Sequence, residues 1–186
     1  LETRRRNINI RTYRIIPLSP QTGIIEWVDD TVPFGIYLCD KDKSIGAHSK
    51  YYPSDWTHAQ CREKLREAQT AEQKLTVFKE IYDHFHPVFR FFFLENFPDP
   101  SRWITCRLAY TRSVAVTSMV GYILGIGDRH AHNILIDCNT AEVVHIDFGI
   151  MFEQGRVLQT PETVPFRLTR DIVDGMGIAG CEGTFR

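Results

Sequence analysis

Apolar and polar residues alternate at the start of the chain. From Ile8 to Ile16 the alternation has a period of two, which predicts a half-buried strand that ends at Pro17. Turn-forming residues at 20–23 and a second apolar segment, Gly23–Val28, then predict a return strand. The two strands together predict an antiparallel hairpin.

The middle of the chain has the pattern of amphipathic helices. Thr57 and Gln60 have the spacing of a capping box, so a helix is predicted from there to Thr70. A second helix is predicted for 71–85. Residues 40–56, which precede both helices, are predicted to form a loop with short turns.

A third and longer helix is predicted after an aromatic segment. Asp99 and Pro100 are a typical helix start, and apolar spacing continues from there to about residue 124. The aromatic segment 89–93 just before it has the apolar density of buried core.

A short hairpin is predicted beyond this helix. Its strands are Ile134–Ile136 and Glu142–Ile146, joined by a turn over 137–140. Such a hairpin would bring Asn133 and Asp147 together at its open end. With a strand hairpin first, helices next and this second hairpin last, the predicted fold class is α+β.

Composition adds bounds rather than a function. The 186 residues are 43% hydrophobic and 24% charged, enough for one core of ordinary size. A formal net charge of −1 gives no general electrostatic reason to expect nucleic acid or membrane as a partner. The five cysteines are far apart and none forms a Cys-x-x-Cys pair, so neither a zinc site nor a disulfide framework is predicted.

The polar residues beside the second hairpin indicate phosphoryl transfer. Asp128 and Asn133 are separated by four residues, and Asp147 opens an Asp-Phe-Gly, as in the protein-kinase template. We expect Asn133 and Asp147 to bind Mg²⁺, which prefers oxygen ligands. Asp128 would orient the attacking hydroxyl and accept its proton, with His130 as a neighbouring acid, base or charge-stabilising group.

Each of these residues also has a structural interpretation. A lone Asp-Phe-Gly is more often a turn, and a lone Asn before a strand can be a cap. The order Asp-Arg-His at 128–130 also differs from the His-Arg-Asp of the template. The predicted hairpin favours the site, because it places both clusters at one end.

The residues around these clusters resemble the phosphatidylinositol 3-kinase-related protein kinases over nearly the whole chain. The resemblance depends on segments 110–115, 121–130, 133–135 and 164–170, and segments 107–113 and 161–177 narrow it to one branch of the family. In that family Asp-Arg-His is the usual order, and its Asp and His are assigned to catalysis. The resemblance therefore implies that Asp128 and His130 are catalytic.

The resemblance also implies a domain organisation of the PI3K/PI4K type. Residues 1–28 would be the last strands of the kinase N-lobe and the hinge, and 29–186 would be the C-lobe. Within the C-lobe it implies a helical insert at 40–97, a catalytic loop at 125–133 and an activation loop at 145–169. The phosphate-covering loop and ATP-binding Lys would precede Leu1, so we expect the 186 residues alone to be nearly inactive.

The same resemblance implies an adenine site. The hinge backbone would bond the base, an aromatic ring would stack on it, and apolar side chains would form the floor and back of the pocket. The residues in these roles are Glu26, Trp27 and Val28 in the hinge, Leu135 and Ile146 in the floor, and Tyr13 and Ile25 at the back. Without the resemblance, Trp27 is better explained as a core residue at a strand end.

For function, the resemblance implies an ATP-dependent serine/threonine kinase using Mg²⁺ or Mn²⁺. It implies phosphorylation of Ser/Thr-Gln sites in DNA double-strand-break signalling and checkpoint control, and contact with DNA-break sensor complexes through other regions. A nuclear location is implied, and a cytoplasmic pool is compatible with it. Three alternatives stay open: another member of the family, a phosphoinositide lipid kinase, and a non-catalytic scaffold that binds partners through segment 57–97.

Overall fold

The computed structural model describes residues 8–39, 46–158 and 161–186. Five strands are described: β1 (Ile15–Ser19), β2 (Thr22–Ile25), β3 (Thr31–Pro33), β4 (Ile134–Asp137) and β5 (Val143–His145). The described α-helices are α1 (Phe34–Leu38), α2 (Ala47–Tyr51), α3 (His58–Glu67), α4 (Ala71–His84), α5 (Arg90–Asn96), α6 (Pro100–Leu124) and α7 (Arg170–Gly175). A short 3₁₀ helix spans Gln154–Val157. Helices dominate, as the predicted α+β class requires.

The N-terminal hairpin forms, but differently from the prediction. Strand β1 starts only at Ile15 and continues through Pro17, and every residue of β1 and β2 is exposed rather than half-buried. The strands pair antiparallel, with a register irregularity between Pro17 and Ser19. Pro17 is tolerated there because a two-stranded sheet has a free edge on each strand, where no backbone donor is needed.

The second sheet has the order β3-β4-β5 and is antiparallel throughout. The hairpin of β4 and β5 confirms the prediction made from the 134–146 pattern. Strand β3 was not predicted. Its three residues are too few to show a period, and its partner β4 lies about a hundred residues further along the chain.

The helix boundaries follow their capping residues. Thr57 and Gln60 form the predicted capping box at the start of α3, and Thr70 forms a second one that was not predicted, with Gln73. The Asp99 side chain accepts a hydrogen bond from the Arg102 backbone N–H and so caps α6 as predicted. The prediction of a loop over 40–56 was wrong for α2, whereas 40–45 lies outside the described residues.

Aromatic side chains fill the core between α1, α5, α6 and α7. Phe89, Phe92 and Phe93 are almost completely buried, which confirms the predicted role of the 89–93 segment. The Phe89 ring lies 5.2 Å from the Tyr110 ring, measured between centroids. The Tyr110 hydroxyl donates to the Ile172 carbonyl at 2.8 Å and so ties α6 to α7. No helix in the described ranges is long and apolar enough to cross a membrane.

Candidate active site

The predicted catalytic loop, residues 125–133, begins where α6 ends. Gly125 adopts a left-handed conformation with φ of 57°, which stops the helix. The loop then bonds to the segment after Asp-Phe-Gly through the main chain: Gly127 N–H donates to the Ile150 carbonyl at 2.9 Å. Phe152 N–H donates to the Leu124 carbonyl at 2.9 Å. The two predicted clusters therefore share one backbone framework.

The Asp128 backbone makes hydrogen bonds through both its N–H and its carbonyl. Its backbone φ is 56°, an uncommon conformation for a residue other than glycine. Its N–H donates to the Glu162 carboxylate at 2.8 Å, and its carbonyl accepts from the Asn133 side-chain amide at 3.0 Å. These two bonds hold the peptide groups on either side of Asp128 and so stabilise its left-handed backbone.

Arg129 joins the two clusters directly. Its guanidinium donates to the carbonyls of Gly127 at 2.9 Å and Ile146 at 2.7 Å, and also to that of Asp147. Burial lowers the pKa of Arg129, and the carboxylates of Asp128 and Asp147 oppose that shift. A buried guanidinium bonded to three carbonyls fixes the spacing between the catalytic loop and the Asp-Phe-Gly.

Asp147 has a second left-handed backbone, with φ of 58°, and its side chain is exposed. Gly149 N–H lies 3.4 Å from one of its carboxylate oxygens. Phe148 stacks on Tyr13, with ring centroids 6.4 Å apart, and Arg129 lies over the same ring at 5.4 Å. Burial raises the pKa of the Tyr13 hydroxyl, although a hydrogen bond that its oxygen accepts from the Asp147 backbone lowers it in part.

His130 is exposed, and its ring has a defined tautomer. Its Nδ1 accepts the backbone N–H of His132 at 3.2 Å, so the neutral ring carries its proton on Nε2. His145 differs: burial, together with the charge of Arg129, lowers its pKa to about 4, which keeps the ring neutral. His130 can therefore donate from Nε2, whereas the His145 ring stays uncharged near neutral pH.

The predicted adenine residues fall into two groups. Tyr13 contacts the Asp-Phe-Gly, and Leu135 is buried but lies outside the main core cluster that contains its neighbours Ile134 and Ile136. Ile146 is half-buried and its carbonyl is bonded to Arg129. These positions are compatible with a pocket floor beside Asp147.

The hinge residues lie on the exposed N-terminal hairpin and the turn that follows it. Trp27 is 84% exposed, so the alternative of a core residue was wrong. Ile25 is also exposed. Glu26 accepts the Arg14 N–H at 2.8 Å, and the Val28 carbonyl accepts the Thr31 hydroxyl at 2.8 Å. Their role toward adenine stays a prediction.

The donor set beside Asp128 fits a hard divalent cation. One amide and one exposed carboxylate, Asn133 and Asp147, are backed by loops that Arg129 holds together. The Asn133 NH₂ group donates to the Asp128 carbonyl, which leaves its oxygen as the atom suited to a metal. Over the described ranges, no group of three or more His, Cys, Asp or Glu could hold a metal. Two oxygen ligands, one from Asn133 and one from Asp147, suit Mg²⁺ that is bound together with nucleotide phosphates.

Sequence reasoning missed two residues of this network. Arg129 belongs to the Asp-Arg-His motif and Glu162 to a segment of the resemblance, but the sequence predicts no role for either. Glu162 lies 34 residues beyond Asp128, and no local spacing indicates their contact. Glycine at 127 and 155 is a weak sequence signal for this contact, because the absence of side chains there leaves room for the Glu162 carboxylate.

The fold and the joined loops agree with the kinase-type class of catalytic domain predicted from the motifs. The chain belongs to the phosphatidylinositol 3- and 4-kinase family, whose model matches residues 1–186. This confirms the resemblance and the fold class predicted from the motifs.

Within that family the chain is similar to ATM and Tel1 protein kinases. It is 57% identical to the serine-protein kinase ATM of Sus scrofa and 55% identical to the serine/threonine-protein kinase ATM of Arabidopsis thaliana. All of this chain is covered in both comparisons, but only 6% and 5% of those proteins. A solved structure of the FAT and kinase domain of CtTel1 matches 99% of the chain and 13% of its own, with a TM-score of 0.91 and 52% identity.

Proposed function

We propose that the chain is the catalytic region of a serine/threonine protein kinase that transfers the ATP γ-phosphoryl group to Ser/Thr-Gln sites. One observation carries the proposal: Arg129 donates to carbonyls in both the catalytic loop and the Asp-Phe-Gly. Kinase catalysis depends mainly on positioning and charge stabilisation, so a rigid link between these loops is the feature it needs. The relatives' names, as serine/threonine-protein kinases, support the acceptor class.

The residues divide the work as follows. Asp128, held on both sides, orients the acceptor hydroxyl and accepts its proton. His130 donates from Nε2 to a phosphoryl oxygen as charge develops there. Asn133 and Asp147 would hold Mg²⁺ or Mn²⁺, which supplies charge neutralisation at the phosphates when bound. Trp27, with Glu26 and Val28, would hold the adenine.

The acceptor is a protein rather than a lipid head group. Between Asp147 and Thr169 the sequence has only two basic residues, Arg156 and Arg167. Arg156 is paired with Glu153 at 3.2 Å, which leaves the exposed Arg167 as the one cation of this segment without a described ion pair. An anionic inositol phosphate needs unpaired cations near the acceptor, and this segment provides few.

The biological setting proposed follows from the resemblance to ATM and Tel1. The whole protein would act in DNA double-strand-break signalling and checkpoint control, mainly in the nucleus. Its contacts with DNA-break sensor complexes would be made by regions other than these 186 residues, since the chain spans about 6% of the length of its curated relatives.

The test uses the full-length protein and three substrates: a Ser-Gln peptide, the same peptide with Ser-Ala, and phosphatidylinositol vesicles. We expect phosphorylation of the Ser-Gln peptide above the other two. Asp128→Asn should lower kcat by roughly 10²- to 10⁴-fold, since it removes the proton acceptor. Asp83→Asn, an exposed carboxylate on α4, is the control.

A second measurement separates catalysis from scaffolding. Asp147→Ala should weaken Mg²⁺-dependent ATP binding in the full-length protein, because a metal ligand is lost. Unchanged nucleotide affinity would favour a scaffold, and faster phosphorylation of the vesicles than of the peptide would favour a lipid kinase.

A further inference from the structure

The carboxylate of Glu162 lies against the catalytic loop rather than in solvent. One of its oxygens accepts the Asp128 N–H at 2.8 Å, and its own backbone N–H donates to the Gly155 carbonyl at 3.1 Å. Glu162 is half-buried, and it is close enough to Arg129 that its charge partly opposes the lowering of that guanidinium's pKa by burial. The side chain therefore connects the end of the activation loop to the residue proposed as proton acceptor.

Two glycines make room for this carboxylate. A Cβ added to Gly127 would lie 2.6 Å from the second Glu162 oxygen, and one added to Gly155 would lie closer still. Neither glycine has a positive φ, so backbone conformation does not require glycine at either position. The Glu162 carboxylate occupies the space that the two glycines leave, so both positions must lack a side chain for the carboxylate to lie there.

The bond from Glu162 matters because of the conformation it holds. Asp128 has φ of 56°, and a non-glycine residue held there costs on the order of 1–3 kcal/mol. The Asn133 amide holds the carbonyl side of Asp128, and Glu162 holds the N–H side. A hydrogen bond to a charged partner is stronger than a neutral one, so the Glu162 bond is well suited to offset this strain.

We infer that Glu162 is a positioning residue for phosphoryl transfer: seated between Gly127 and Gly155, it fixes the direction of the Asp128 carboxylate and couples it to the docked activation loop. The inference rests on the proposed function, because it assigns Glu162 a role in that reaction. Since Glu162 acts through Asp128, it should affect kcat more than the KM for ATP.

The test compares two substitutions in the full-length protein on a Ser-Gln peptide. Glu162→Ala should lower kcat by about 10- to 100-fold, while the KM for ATP changes less than about twofold. Glu162→Gln keeps an acceptor oxygen and should recover kcat to within about fivefold of the unmodified protein. Glu153→Gln, an exposed glutamate of the same segment, is the control and should leave kcat unchanged.

A third variant keeps the test decisive if Glu162→Ala fails to fold. Gly155→Ala leaves the carboxylate in the chain but displaces it, so it should lower kcat by a similar factor. Adding Gly155→Ala to Glu162→Ala should lower kcat little further, because no carboxylate then occupies the space beside residue 155.

Two results would overturn the inference: equal kcat for Glu162→Ala and Glu162→Gln, or unmodified kcat in Gly155→Ala. Both require an unmodified protein that phosphorylates the peptide. An unmodified protein that does not phosphorylate it would contradict the proposed function instead, so the two failures are distinguishable.

Discussion

Replacing Arg129 with lysine should abolish most of the proposed kinase activity while preserving the positive charge at that position. The guanidinium donates to three carbonyls, those of Gly127, Ile146 and Asp147, from three different nitrogens. A lysine ammonium is a single point and cannot span this set. We expect Arg129→Lys to keep one of the three bonds at most.

The magnitude follows from the two lost bonds. A hydrogen bond to a charged group contributes about 1.5–3 kcal/mol, so losing two costs at least about 3 kcal/mol. Burial already disfavours the charged form of Arg129 and lowers its pKa. Because an ammonium is hydrated more strongly than a guanidinium, burying the lysine would not reduce this desolvation cost. Because about 1.4 kcal/mol corresponds to tenfold, kcat should fall by about 100-fold or more.

The assay is steady-state phosphorylation of a Ser-Gln peptide by the full-length protein. Arg156→Lys is the matched control, since Arg156 is exposed and pairs only with the exposed Glu153 in the described contacts. A kcat for Arg129→Lys within threefold of the unmodified enzyme would refute the argument that this link sets the spacing of the two loops.

Two further predictions concern stability. Burial lowers the His145 pKa from 6.5 to about 4. As the pH falls from 7 to 5, His145 therefore becomes protonated in the unfolded chain but stays neutral in the folded chain. The free energy of unfolding should fall by about 2 kcal/mol over this range. The unfolding midpoint should therefore drop further for the unmodified protein than for His145→Gln; equal drops would contradict it. Ser113→Ala should cost about 1–3 kcal/mol, because the buried Val143 N–H loses its acceptor at 3.0 Å, whereas exposed Ser101→Ala should leave the midpoint unchanged. A Ser113→Ala midpoint as high as that of Ser101→Ala would show that another group satisfies this N–H.

Local patterns predicted the parts of the fold whose cause is local. The Thr57 capping box, the Asp99 cap and the hairpin of β4 and β5 each depend on residues within about a dozen positions of one another. The alternation at 8–16 failed because a period shows a face but not whether anything covers it, and β1 is exposed.

The candidate site divides in the same way. The spacing of Asp128, Asn133 and Asp147 pointed to one site, and the structure joins their loops by hydrogen bonds. Arg129 and Glu162 could not be assigned, because their partners are backbone atoms brought close only by the fold. Backbone acceptors and donors are the same at every residue and leave no trace in a sequence.

The junction between residues 124–127 and 150–153 is built from main-chain atoms. Leu124, Gly125 and Gly127 exchange hydrogen bonds with Phe152, Glu153 and Ile150 in turn. Such bonds tolerate most side-chain replacements but not a change in the number of residues, and proline at 152 or 153 would remove a donor. The number of residues in the activation loop up to positions 150–153 is therefore constrained more strictly than their identity. We expect insertions to be tolerated only beyond these positions.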